Sequence, residues 1–306
     1  MIYTVTFNPA LDYVMNVKNL QSSDINRTES EQLYYGGKGI NVSVILSRLG
    51  IDSRALGFTA GFSGVQLEKM LEKDGINTDF VHLKNGYTRI NVKIKSDSEL
   101  DINACGPEIE NTDVDALFEK FERFKKGDTL VLAGSIPKSL PDDIYEKILQ
   151  RLNGREIDFV VDATGDLLLN VLKYHPLMVK PNHHELGELF SVNIESIKDI
   201  EKYAKKLQNM GAKNVLVSRG KNGAALLDEY GVMHTMGNVP GKIVSSVGCG
   251  DSMVAGFLAG YNEKKDYAYA LKLGSVCGNA TAFSPNLATK EEIEKMFHNE
   301  FFNEEG

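Results

Sequence analysis

Thr129-Leu130-Val131-Leu132-Ala133, Phe159-Val160-Val161-Asp162, Leu177-Met178-Val179-Lys180 and Asn214-Val215-Leu216-Val217-Ser218 are short, unbroken apolar runs, each with helical patterning nearby. A run without polar alternation suits a strand covered on both faces, and regular alternation with helices suits a parallel sheet. The stretch therefore predicts an α/β chain built on an open, doubly wound sheet. Upstream, Ile2-Tyr3-Thr4-Val5-Thr6-Phe7 reads as a first strand, and Val42, Ile45, Leu46 and Leu49 fall at helical spacing with Gly50 as the C′ residue. Arg54-Ala55-Leu56-Gly57-Phe58 is a further strand before a helix near Gly64 to Asp74. Helices near Gly250 to Tyr261, Ala268 to Phe283 and Lys290 to Phe297 close the pattern, and the acidic end from Asn299 to Gly306 reads as a frayed helix end.

Two segments break the alternation. Tyr13 to Val17 with Glu29 to Tyr35, and Thr88 to Lys95 with Leu100 to Ala104, look like strand pairs with no helix between them. These insertions, at about 12–36 and 87–105, are expected to pair into a small extra sheet. Attached to an open α/β core, such a sheet would act as a lid over the strand ends, where ligands bind. No repeat and no Pro/Gly/Ser linker divides the chain, so residues 1–306 are expected to form one domain.

The formal net charge of −8 over 306 residues argues against a nucleic-acid or acidic-membrane partner. Any anionic ligand must be held by a few local cations. Met1 leads directly into a strand-like run, so neither a signal peptide nor a membrane span is expected. Cys105, Cys249 and Cys277 are odd in number and far apart, which fits reduced thiols in the cytoplasm.

The segment Val247-Gly248-Cys249-Gly250-Asp251-Ser252-Met253-Val254 carries the most chemistry. Glycines let backbone N–H groups face open space, and the helix that follows adds partial positive charge at its start. Asp251 there is either a helix cap or a carboxylate that takes a proton beside an anion hole, the pairing that phosphoryl transfer to a hydroxyl requires. Other motifs are ambiguous singly. Gly36-Gly37-Lys38-Gly39-Ile40-Asn41 is a turn into a helix or a backbone cradle with a cation and an amide. Asn8-Pro9-Ala10-Leu11-Asp12 is a turn or a strand-end carboxylate that accepts from hydroxyls. Asn182-His183-His184-Glu185 is nearly a capping box, or Asn182 and Glu185 organise Mg²⁺ and its waters, while the two histidines read as surface residues. Val217-Ser218-Arg219-Gly220-Lys221-Asn222-Gly223-Ala224 is a hairpin loop or a nucleotide contact. Ser135 is in a turn or a site, and Thr88-Arg89-Ile90-Asn91-Val92-Lys93 presents a solvated face unless Arg89 reaches down from a lid. GxxxxGK[ST], GxGxxG and HExxH are all absent.

In this order, NPxxD, GGKGxN, GS-P, NxxE, SxGxxG and GxGD, the motifs resemble the PfkB branch of the ribokinase-like carbohydrate kinases nearly end to end. The resemblance implies a ribokinase-like sheet with a β lid, and transfer of phosphate from ATP, with Mg²⁺. Residues 88–93 and 247–256 look most like the branch that acts at the 6-hydroxyl of fructose 1-phosphate to give fructose 1,6-bisphosphate; tagatose-6-phosphate kinases are close relatives. It further implies that Asp251 is the base and the Gly248, Cys249 and Gly250 amides form the anion hole. Asp12, Gly37 and Asn41 would hold sugar hydroxyls, while Arg27, Lys38, Arg89, Lys138 and Ser135 would lie around the sugar phosphate. Ser218, Gly220, Gly223, Asn279 and Lys180 would contact ATP, and Asn182 and Glu185 would position the metal. It also implies a homodimer through the lid.

Ser245 stands where the broad family has an acidic residue, and Cys249 replaces its usual Ala or Ser. A thiol at a helix N-terminus is expected to have a lowered pKa and to be open to oxidation and alkylation. Rival readings are a kinase for tagatose 6-phosphate or fructose 6-phosphate and a non-catalytic sugar-phosphate sensor, although a sensor would be expected to lose Asp251 or its glycines. A nicotinamide-dependent dehydrogenase lacks its glycine fingerprint.

Overall fold

The computed structural model describes residues 1–302 except 98 and 238; the notional frayed end from 303 onward lies outside the described residues. The first strand, β1 (Ile2–Thr6), is followed by β2 (Ala10–Val17), β3 (Thr28–Gly36), α1 (Lys38–Arg48), β4 (Ser53–Ala60) and α2 (Gly61–Lys73). Short β5 (Asn77–Thr78) and β6 (Val81–Leu83) precede β7 (Arg89–Lys95), β8 (Glu99–Ile102) and α3 (Asn111–Phe121). Strands and helices then alternate through β9 (Thr129–Ala133), α4 (Ile144–Leu152), β10 (Asp158–Asp162), α5 (Gly165–Val171), β11 (Met178–Val179), α6 (His183–Leu189), α7 (Ile197–Asn209) and β12 (Asn214–Ser218). The chain ends with β13 (Ala224–Leu227), β14 (Met233–Met236), α8 (Cys249–Lys264), α9 (Tyr267–Ala282) and α10 (Lys290–Phe302).

The main sheet runs β14-β13-β12-β11-β10-β9-β1-β4-β5, with β6 beside β4. It is parallel from β5 to β12 and antiparallel at β13 and β14. Its apolar runs divide by parity, as strands covered on both faces must. Leu130, Leu132, Phe159, Val161, Val215 and Val217 join one core cluster, with side chains of α3, α4, α5 and α7. Val131, Ala133, Val160, Met178 and Leu216 join the other, with α1, α8, α9 and α10. The predicted strand over 177–180 is shorter, since only Met178 and Val179 are register pairs, while the Lys180 N–H still donates to the Val161 carbonyl at 3.2 Å.

The second sheet has the order β3-β2-β7-β8, with β2 and β7 parallel and both outer pairings antiparallel. It is made from the two insertions, and no residue of it pairs with the main sheet. The last strand stops at Ile102 rather than Ala104, whose N–H turns to the Asn91 side chain instead. Within the main sheet the chain leaves β1 for the lid and returns to β4 on one side, and later reaches β9 on the other side. This reversal opens a crevice beyond the strand ends, where ligands bind in such folds.

Candidate active site

Strand ends carry the ionisable groups. Asp162 closes β10 and Lys180 follows β11, and both are buried, at 2% and 5% exposure. Lys180 Nζ lies 3.3 Å from Asp162 Oδ1, and Lys38 Nζ approaches Asp162 Oδ2 at 3.4 Å. Burial works against the Lys38 charge, but the Asp162, Asp251 and Glu185 carboxylates outweigh it and hold the ammonium above its ordinary pKa.

Helix α8 starts at this cluster. Its N-cap is Gly248, at φ 77°, and no side chain caps it. Asp251 is therefore not the cap; it occupies the third helical position. The first N–H groups of a helix have no intrahelical partner, so α8 offers free donors and a dipole end at one spot. Two glycines make this possible. A Cβ at Gly248 would stand 2.5 Å from Leu287 Cδ2 in a left-handed conformation, and one at Gly250 would stand 3.0 Å from Lys180 Nζ. The second vacancy lets a buried ammonium lie against the helix start.

Asp251 is 5% exposed, and Asn41 Nδ2 donates to its Oδ2 at 2.8 Å. Burial and then the nearby Asp162 charge raise its pKa to about 6, against the pull of Asn41, Lys38 and Lys180. A carboxylate so tuned is a better proton acceptor near neutral pH than an exposed aspartate. The Cys249 thiol does not show the lowered pKa expected of it: burial, then the Asp251 charge, pushes it up to about 11. Partial burial beside a carboxylate outweighs the helix terminus.

Two adjacent cavities share Ile243, Ser245 and Ser246 in their linings, and Asp251 lines the larger. The larger, of about 530 Å³, is lined by Lys38, Asp162, Lys180, Asn182, Glu185, Ser218, Gly220, Gly223, Gly248, Cys249, Gly250, Asp251 and Asn279. The second, of about 410 Å³, lies under the lid and is lined by Asp12, Gly37, Asn41, Lys93, Lys95 and Asp101, among others. Asn41 lines the lid cavity and donates to the carboxylate that lines the other, so this hydrogen bond spans the two.

The sequence-derived residues fall into these two groups with some exceptions. Lys38, expected at the sugar phosphate, stands in the larger cavity with Asp162, because α1 directs it across the strand ends. Arg27, Arg89, Ser135 and Lys138 line neither cavity. Arg27, Ser135 and Lys138 are exposed. The half-buried Arg89 donates from Nε to the Asn8 carbonyl at 3.1 Å, and burial lowers its pKa. Asn182 and Glu185 do line the larger cavity, yet they complete the capping box of α6. Asn182 Oδ1 accepts from the His184 and Glu185 N–H groups, and Glu185 Oε2 accepts from the Asn182 N–H. His183 and His184, read from sequence as surface residues, face the same cavity with their rings 3.9 Å apart. Sequence reasoning missed Asp162, Asn91 and Lys93. Asp162 was visible as a charge ending a buried strand, and the other two as polar residues alternating along β7.

Similarity to known proteins gives the family. Residues 5–294 match the pfkB family of carbohydrate kinases, and the chain belongs to that family. The 1-phosphofructokinase of Bacillus subtilis (strain 168) is 45% identical over 297 residues, covering 97% of each chain. The D-tagatose-1-phosphate kinase of Bacillus licheniformis is 36% identical, over 96% of this chain and 97% of that one. Phosphofructokinase-2 from Escherichia coli, solved in complex with fructose-6-phosphate, superposes with a TM-score of 0.89 at 26% identity, covering 97% of both chains. The protein is thus a sugar kinase with a ribokinase-like fold and a small second sheet.

Proposed function

We propose that the chain transfers the γ-phosphoryl group of ATP to the 6-hydroxyl of fructose 1-phosphate, giving fructose 1,6-bisphosphate and ADP. The observation that carries this reading is Asp251, held by Asn41 where the two cavities join, with the donors of the α8 N-terminus beside it. The larger cavity takes the nucleotide and the lid cavity takes the sugar phosphate. Asn41 occupies Oδ2 of Asp251, and Oδ1 is assigned to the acceptor hydroxyl. Phosphoryl transfer has a loose transition state, so Asp251 chiefly aligns the hydroxyl and accepts its proton late. The α8 amides, Lys180 and Lys38 stabilise charge on the migrating group, one such donor being worth about 3 kcal/mol.

Mg²⁺ fits the oxygen donors here. Among the described residues no three His, Cys, Asp or Glu side chains cluster to hold a metal. An ion would therefore be held by Glu185 with phosphates and water, as Mg²⁺ usually is. Asn182 is committed to its two N–H partners and would position Glu185 rather than bind. Bound there, Mg²⁺ would supply positive charge that offsets the charge of the nucleotide phosphates.

Pairing of two copies through the lid is part of the same reading. Ile90, Leu100 and Ile102 are 36%, 44% and 55% exposed, on the lid face opposite Asn91 and Lys93. Free thiols at Cys105, Cys249 and Cys277 fit a reducing cytoplasm. Among the described residues no helix is long and apolar enough to cross a membrane.

The deciding experiment is steady-state kcat/KM for fructose 1-phosphate, fructose 6-phosphate, tagatose 6-phosphate and tagatose 1-phosphate. The last is included because a relative is a D-tagatose-1-phosphate kinase. Highest efficiency with fructose 1-phosphate supports the assignment; a preference for any other of the four overturns it.

A further inference from the structure

The inward face of the lid contains a charge arrangement that the catalytic step does not use. Asp12 on β2 and Asn91 on β7 are register partners across the parallel pairing. Lys93 lies two residues further along β7 and so on the same face. Asn91 Nδ2 donates to Asp12 Oδ1 at 2.8 Å, and Lys93 Nζ donates to Asp12 Oδ2 at 2.8 Å. The Asn91 amide cannot be turned over without loss, because its Oδ1 accepts from the Ala104 N–H at 3.2 Å. Asn91 is 5% exposed, and the side chains of Lys93 and Asp12 are 20% and 15% exposed. This is a mostly desolvated ion pair, yet Asp12 and Lys93 both line the lid cavity. Beside them Gly36 has no side chain, and a Cβ there would stand 3.4 Å from Asp12 Oδ2.

An ionised carboxylate offers about four acceptor positions, two on each oxygen. Asn91 and Lys93 take one on each. The remainder is one open position per oxygen, at fixed orientation, facing a cavity sized for a sugar phosphate.

The geometry points to Asn91 and Lys93 as positioning residues that hold Asp12 as a two-pronged acceptor for adjacent ring hydroxyls, and thereby set discrimination between ketose 1-phosphates that differ at C4. This rests on the proposed ketose 1-phosphate substrate. A freely rotating carboxylate could follow either configuration of a hydroxyl pair; one pinned at both oxygens cannot. Leaving a buried acceptor or donor unmatched with the wrong epimer is costly, which is how polar sites reject analogues.

The test compares Lys93→Met, Lys93→Arg and Asn91→Ser with the wild type, using fructose 1-phosphate, tagatose 1-phosphate and ATP as separate varied substrates. The expected result for Lys93→Met is a KM for the preferred sugar raised roughly tenfold or more, with the KM for ATP within about twofold of wild type. The ratio of kcat/KM between the two epimers falls toward one, and Lys93→Arg restores part of it. Asn91→Ser shifts the same ratio in the same direction, which keeps the test open if Lys93→Met does not fold. An unchanged epimer ratio with a functional wild type overturns the inference alone, even where KM rises equally for both sugars, since that marks a phosphate contact or mere support of the lid. Absence of wild-type turnover on both ketose 1-phosphates overturns the functional reading and this inference together.

Discussion

Replacing Asp162 with Asn keeps the shape of the side chain and removes its charge from between two lysines. At 3.3 Å and an effective dielectric constant of about 20, the attraction to Lys180 is about 5 kcal/mol before desolvation is subtracted. Removing one partner of a buried pair leaves the other uncompensated and typically costs 3–5 kcal/mol, on the order of magnitude that matters here. The Lys38 side chain is 43% exposed, so its pair adds less than about 1 kcal/mol. Asp162→Asn is therefore expected to lower unfolding free energy by about 3 kcal/mol in urea at neutral pH. The variant should also change the pH profile in a definite direction. Asp251 must be ionised to accept a proton, so wild-type kcat/KM for the sugar should fall as pH drops through about 6. The Asp162 charge is one cause of that raised pKa; without it, and with Lys38 and Lys180 still favouring the carboxylate, Asp251 ionises more readily. The acid limb should move to lower pH while the maximum rate falls. An acid limb that stays in place or moves upward, in a variant that has lost stability, would refute the electrostatic account of Asp251.

Asp251→Asn should retain its thermal unfolding profile and sugar KM but lose roughly 10²–10⁴ in kcat, the span of general acid–base contributions; near-normal turnover removes Asp251 from the mechanism. Iodoacetamide at pH 7.5, followed by peptide mass spectrometry, should modify exposed Cys105 well before Cys249, whose pKa is about 11. Faster labelling at Cys249, with loss of activity, would show that its thiol is not suppressed. Ile102→Lys on the outer lid face should shift the sedimentation coefficient from dimer toward monomer, and a wild-type monomer at assay concentration would dispose of lid pairing.

The sheet was legible in the sequence because burial on both faces leaves a plain trace. Leu130 and Val131 must both be apolar, since each enters a different core. The lid was legible for the opposite reason, since strand-like segments with polar alternation cannot be central strands of a parallel sheet. The glycine turn at 248–250 was legible because the φ at 248 favours glycine and because Lys180 approaches where a side chain at 250 would stand. What sequence order could not give was which charged and polar side chains meet. Lys38 and Asp162 are 124 residues apart, Asn41 and Asp251 are 210, and Asp12 and Asn91 are 79.

Those meetings changed individual assignments. Lys38 stands in the larger cavity against Asp162 rather than in the lid cavity, and Arg89 donates to a backbone carbonyl. Cys249 changed from an activated thiol to a suppressed one, because a pKa depends on desolvation and neighbouring charge rather than on residue type. Local pattern and steric need, written residue by residue, thus determined the layers, the lid and the glycine turn of this protein. The pairing of its carboxylates, amides and ammonium groups was decided only by folding, since electrostatic energy depends on separation in space and on burial, and neither is a property of chain position.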